Sequence, residues 1–207
     1  MDGSLLLGFI AATAALAFMP GPDNIYVLTE SISKGARQGI FITSGLISGV
    51  MVHTALVATG LSLLVFQSSW AYDLLKYAGT AYLIYLAYGS IKEVPIDVNV
   101  ALNSQTEPFT RLFKRGFLMN VLNPKVTLFF LVLLPQFVSS DGWPPFLQMF
   151  VLGGVFMGVS FIIFSGIAMI SGYSASLVKR PQFWVVTKWI KVTVLLGIAL
   201  LLVLSER

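Results

Sequence analysis

Asp23 and Lys125 each directly follow a proline inside an otherwise apolar stretch of this chain. A carboxylate can pair with an ammonium and a lysine with a carboxylate, so the two together suit a zwitterion. A charge placed in hydrocarbon costs about 2.5 to 3.5 kcal/mol on insertion scales and is kept where it is paired, hydrated or functional. Asp23 agrees with the dipole of a helix that starts at Pro22, whereas Lys125, in the matching place after Pro124, opposes it. Local helix rules therefore leave Lys125 unexplained. Two readings stay open: the pair binds opposite ends of a substrate, or it bridges two parts of the protein. His53, the only histidine, lies in the middle of another apolar stretch. Its near-neutral titration suits a proton relay, and an imidazole packed against a backbone carbonyl or hydroxyl is the structural alternative.

The elements that hold these groups are broken helices. Two prolines in Phe18-Met19-Pro20-Gly21-Pro22-Asp23-Asn24 remove two backbone donors, and a straight helix cannot pass through them. Asn120-Val121-Leu122-Asn123-Pro124-Lys125 interrupts a second apolar run, with Asn123 suited to an N-cap and Pro124 to the first helical position. Gly21 and Pro22 offer the same two positions in the first run. At about 1.5 Å per residue both breaks lie on the order of 13 to 17 Å from the nearer charged helix end, close to the middle of a hydrocarbon core roughly 30 Å thick. Unpaired backbone at that depth belongs in a buried or wet cavity. Each restarted helix points its N-terminal N–H groups into that cavity, a seat for a carboxylate. The candidate substrate-binding set is therefore Gly21, Pro22, Asp23, Asn24, Asn120, Asn123, Pro124 and Lys125, with His53 as the candidate for proton coupling.

The chain has 207 residues, is 57% hydrophobic and only 11% charged, and so has the bilayer as its solvent. Six apolar segments are expected to span as helices: Leu5 to Thr29, Ile40 to Phe66, Leu74 to Ile91, Gly116 to Val138, Pro145 to Ser171 and Phe183 to Leu204. The first lacks a basic leader and is read as a membrane segment rather than a secretory signal. With no cysteine, disulfide, thiolate-metal and CxxC redox chemistry are excluded. The basic residues are topology signals, not a nucleic-acid stripe. Lys34, Arg37, Lys92, Arg111, Lys114, Arg115, Lys179 and Arg180 fall in the loops of one side, against Arg207 alone on the other, which predicts external termini. The stretch Lys92 to Arg115 is expected to be a flexible cytoplasmic connector. Residues 1–91 and 116–207 form a three-helix repeat on either side of the connector, 92–115.

The two repeats correspond weakly but in order. Pro22 aligns with Pro124, Gly45-Leu46-Ile47-Ser48-Gly49 with Gly154-Val155-Phe156-Met157-Gly158, and Lys76 with Lys188. An odd number of spans per half forces the second half to enter from the opposite side, the inverted-repeat plan of secondary transporters. The GxxxG pairs are expected to pack backbones closely or to form a moving interface. Lys188 and Lys191 are expected to snorkel to the cytoplasmic surface. Tyr77, Tyr82, Tyr85, Tyr88, Trp70, Trp143 and Trp184 are expected in an interfacial belt, and Glu30 and Lys34 as an i,i+4 pair at a helix end.

Met19 through Asn24, followed by Ser33-Lys34-Gly35-Ala36-Arg37-Gln38-Gly39, resembles the lysine exporter (LysE) superfamily, most closely its homoserine/threonine efflux branch. Leu75 through Leu83, Asn120 through Lys125 and Leu134-Pro135-Gln136-Phe137 carry the same resemblance over nearly the whole chain. It implies a multi-pass exporter of amino acids or their derivatives in the inner (plasma) membrane, driven by protons, with no cofactor. It also implies small residues on the packing face of the sixth helix, near the place where this chain has Lys191. Divalent-metal efflux is the alternative, with a poor ligand set: one histidine, no cysteine and one mid-membrane carboxylate. An intramembrane enzyme lacks a nucleophile and base at workable spacing. The residues leave open whether the chain forms a homodimer.

Overall fold

The computed structural model describes residues 3–19, 21–60, 69–92, 106–139, 142–173 and 181–204. Expectations that rest on Pro20, the end of the second segment after Gly60, residues 93–105 of the connector, Lys179, Arg180, Arg207 or the side chain of Trp184 lie outside them. Within them the protein is all-helical, with eight α-helices. These are α1 (Gly3–Phe18), α2 (Pro22–Lys34), α3 (Ala36–Gly60), α4 (Ser69–Ile91), α5 (Phe109–Val121), α6 (Pro124–Leu128), α7 (Pro145–Tyr173) and α8 (Pro181–Leu204). A π-helical turn, Phe129–Leu133, and a 3-10 turn, Leu134–Phe137, extend α6. Pro135, which has no N–H to give, sits at the start of that last, tighter turn.

Among the described residues, α3 and Pro145–Ser171 of α7 are each long and apolar enough to cross a membrane. The pair α1 and α2, and the pair formed by α5 with Pro124–Phe137, pass the same test together. That gives two to four candidate spans. Each pair is bent by more than 40° at its break, the second by 49°.

One expectation is corrected here. The connector does not run flexibly to Arg115, because α5 starts at Phe109. Its charges masked an amphipathic helix: Leu112 and Gly116 are buried on one face while Arg111 and Lys114 face outward. Gly116 lets that face touch α3, since a Cβ there would stand 2.3 Å from the Ile42 carbonyl oxygen. Gly45 does the same from α3, where a Cβ would stand 2.0 Å from the Phe113 carbonyl oxygen. Gly49 packs against Asn120. The first GxxxG is therefore a close backbone contact. The second is not: a Cβ on Gly154 or Gly158 would meet nothing within 4 Å.

The main core gathers Phe9, Leu16, Leu83, Phe129, Phe130, Met149 and Leu152 from α1, α4, the π-turn and α7. A smaller one joins Val27, Ile42, Leu46, Leu112 and Ala168. The largest helix contacts are α3 with α5, α3 with α7 and α4 with α8, followed by α2 with α3 and α7, and α1 with α7 and α8.

Candidate functional site

The break in the first pair exposes helix ends of opposite kind to each other. Gly21 is the N-cap of α2, with extended backbone (φ −168°, ψ 176°) and no side chain to offer, and Pro22 follows at the first helical position. At the end of α1, carbonyls lose their helical partners. Side chains take them up. Asn24 Nδ2 donates to the Ala17 carbonyl at 2.5 Å. Lys125 Nζ donates to those of Leu16 at 3.3 Å and Met19 at 3.0 Å.

That contact accounts for the lysine that its own helix disfavours. Lys125 opposes the dipole of α6 but its ammonium lies at the C-terminus of α1, the negative end, where a cation is stabilising. Gly21 makes room for it, since a Cβ there would come within 3.2 Å of Nζ. Tyr82 donates its hydroxyl hydrogen to the Lys125 carbonyl at 2.8 Å. Tyr82 is thus buried against the break, unlike Tyr77, Tyr85, Tyr88, Trp70 and Trp143, which are exposed.

The second break is capped by its own residues. Asn123 Oδ1 accepts from the Lys125 backbone N–H at 3.0 Å, and Pro124 takes the first helical position as the sequence predicts. The other end of the same amide reaches across: Asn123 Nδ2 donates to Asp23 Oδ2 at 2.8 Å. The carboxylate's direct partner is therefore an amide, while the ammonium turns to the carbonyls of α1. The side chain of Asn120 lies beside Asp23 as well.

Asp23, Asn24, Asn120 and Asn123 are all buried. Between the breaks is a small cavity, about 10 Å³, room for roughly one water. Asp23, Asn120, Lys125 and Ser160 are its polar lining, and Leu16, Val50 and Phe156 belong to its apolar wall. His53 stands one layer away, Nε2 at 3.1 Å from the Asn120 carbonyl oxygen and its ring 6.0 Å from that of Phe130. Of the eight residues predicted for the site, Gly21, Asp23, Asn120, Asn123 and Lys125 meet across the breaks, Pro22 and Pro124 start the two helices and Asn24 holds the end of α1, and His53 touches the site through the backbone of Asn120. Ser160 and Tyr82 were missed. A lone serine in an apolar helix reads as packing, and Tyr82 reads as belt.

Lys191 is corrected too. It is 2% exposed and does not snorkel, lying at a 230 Å³ apolar pocket lined by Ala11, Ala14, Ala15 and Phe18 of α1. Lys188 instead donates to the Ile91 carbonyl at 3.1 Å, capping α4.

A second polar cluster ties the ends of α2 and α5. Glu107 pairs with Lys34 at 2.9 Å, Arg111 at 3.1 Å and Arg115 at 3.6 Å, and Lys34 also pairs with Glu30 at 2.6 Å. Arg115 donates to the Tyr26 hydroxyl, and Gln38 Oε1 accepts from the Glu107 N–H at 2.8 Å. The Lys34 hydrogen bond holds the Glu107 carboxyl below the usual glutamate range, against the cost of partial burial. The expected i,i+4 pair is therefore one arm of a larger network.

Residues 14–206 match the family model of the LysE type translocators. The chain is 33% identical over 175 residues, 84% of each sequence, to the homoserine/homoserine lactone efflux protein of Salmonella typhimurium (strain LT2). It is 26% identical over 163 residues to the leucine efflux protein of Enterobacter sp. (strain 638), covering 76% of this chain and 77% of that one. An uncharacterized membrane protein of Vibrio cholerae is 27% identical over 185 residues, 88% of both. No solved structure matches the chain.

Proposed function

This chain belongs to the LysE type translocator family, and from that premise we propose that it exports an amino acid or amino-acid derivative across the inner membrane, coupled to protons. It is a transporter, not an enzyme. The observation that carries the reading is the meeting of two broken helices in one buried polar centre, where Asn123 of the second break bonds Asp23 of the first. Helix ends of both signs are available there, as the two ends of a zwitterion require. Asp23 is the partner for the substrate ammonium. Lys125, which donates to the α1 carbonyls here, is the partner for the substrate carboxylate.

The proposed architecture is six crossings in two inverted three-helix repeats with external termini. The packing supports it: exchanging the halves turns the contact of α3 with α5 into that of α7 with α1, and the contacts of α3 with α7 and α4 with α8 into themselves. His53 beside Asn120 is the candidate for proton coupling. The outward Gly154 and Gly158 would suit a homodimer. Divalent-metal efflux is not favoured, because one carboxylate among amides is a poor ligand set.

Purified protein in proteoliposomes loaded with labelled L-homoserine or L-leucine should release the label when a proton gradient is imposed. Asp23→Asn should abolish release while the protein stays folded. Release unaffected by Asp23→Asn would overturn the site. Topology has its own test: a single cysteine at position 34 should resist an impermeant thiol reagent in intact cells.

A further inference from the structure

Three polar atoms on the cavity-lining residues have no hydrogen-bond partner: Asp23 Oδ1 on α2, Asn120 Oδ1 on α5 and Ser160 Oγ on α7. Their residues are at most 3% exposed. Two are pure acceptors, and a hydroxyl can accept through its lone pairs. The Asn120 amide lies beside the Asp23 carboxylate, and the other side-chain donors nearby are engaged elsewhere: Asn123 Nδ2 on Asp23 Oδ2, Lys125 Nζ on the Leu16 and Met19 carbonyls, Asn24 Nδ2 on that of Ala17. Buried acceptors without donors are destabilising, and these three converge on one cavity from three different helices.

Their chemistry selects the guest. A carboxylate would lie against the like charge of Asp23 and the Asn120 side-chain carbonyl oxygen, and an apolar group would satisfy none of the three. An ammonium brings three N–H donors and a positive charge to three acceptors, one of them charged. The cavity, with room for about one water, is the size of an ammonium head rather than of a whole amino acid.

We propose that Asp23 Oδ1, Asn120 Oδ1 and Ser160 Oγ form the subsite for the α-ammonium of the transported amino acid, which makes Ser160 a substrate-binding residue. The assignment rests on the export reading above. It adds the third helix, α7, to a site otherwise built from the two breaks. Ser160 thereby couples substrate binding to the position of α7 against α2 and α5.

The test compares wild type, Ser160→Ala and Ser160→Thr in proteoliposomes, using L-homoserine, L-leucine and their 2-hydroxy-acid counterparts as competitors. Loss of one hydrogen bond to a charged group should raise KM of Ser160→Ala for the amino acid about tenfold, with Ser160→Thr close to wild type. Wild type should prefer the amino acid to the hydroxy acid, and Ser160→Ala should lose about tenfold of that preference. Thermal unfolding in detergent should leave Ser160→Ala within a few degrees of wild type. An unchanged KM and preference in Ser160→Ala would overturn the subsite while leaving export intact. Wild type that carries no amino acid would overturn export and the subsite together. Stabilisation of wild type by sodium over choline, absent in Ser160→Ala, would show that a metal cation takes the place assigned to the ammonium.

Discussion

The two helix breaks share a plan but differ in what they supply. Both place a proline at the first helical position, Pro22 and Pro124, and both put a charged residue next. The first break is rich in acceptors: the carbonyls of Leu16, Ala17 and Met19, and the Asp23 carboxylate. Its cap, Gly21, contributes no side chain. The second break is rich in donors. Asn123 caps its own helix and hands its other end to Asp23, and Lys125 gives its ammonium to α1. Neither break is complete alone. A buried helix end without partners costs free energy at each orphan group, so the halves hold each other by exchanging what each lacks.

Exchanging the charges should break this most severely. The double variant Asp23→Lys with Lys125→Asp would set a carboxylate against the carbonyls of Leu16 and Met19 and an ammonium beside the Asn123 amide. A simple ion-pair bridge would survive the swap. The geometry seen here predicts no recovery of transport and a folded yield below that of either single variant, measured by size-exclusion chromatography. A rescued swap would show that the two residues form nothing more than a bridge.

Asn123→Leu comes next, since one substitution removes the cap of α6 and the donor to a buried carboxylate. The expected loss is about 3 kcal/mol in equilibrium unfolding. Asn24→Leu takes only one donor from one carbonyl and should cost about 1 kcal/mol. Equal effects would mean that the two breaks are not specialised.

The paired glycines sharpen the same contrast between halves. Gly45→Ala pushes a methyl into the Phe113 backbone, which cannot move as a side-chain tip would, and should cost about 1 to 3 kcal/mol. Gly154→Ala meets nothing in the protomer and should stay within about 0.5 kcal/mol. A larger change that depends on protein concentration would point to a second copy on that face.

The smallest effect belongs to Glu107. Because its folded pKa is lowered by Lys34, its contribution is present above the unfolded glutamate pKa and is lost as pH falls through the lower folded value. The cluster is near the surface, so the expected size is below about 1 kcal/mol. Stability measured from pH 6 down to pH 3 should fall less steeply in Glu107→Gln than in wild type.

Much was legible in the chain itself, because proline and glycine act locally. Pro22 and Pro124 ended helices wherever the rest of the fold went, and an apolar run of membrane length has few other solvents. The N-cap role of Asn123 followed in the same way. What lies between helices was not legible. The charges of Arg111, Lys114 and Arg115 looked like a loop, although Leu112 and Gly116 between them carried a helical face that only α3 completes. Gly45 and Gly154 sit in matching motifs, and nothing local tells which will meet a backbone. The use of Lys125 could be read only once α1 stood across from it, since a cation's worth depends on the dipole it faces, and that dipole belongs to a helix more than a hundred residues earlier. Ser160 was hidden for the same reason: a serine becomes part of a site only where two other helices leave acceptors beside it, and that convergence is a property of the tertiary structure.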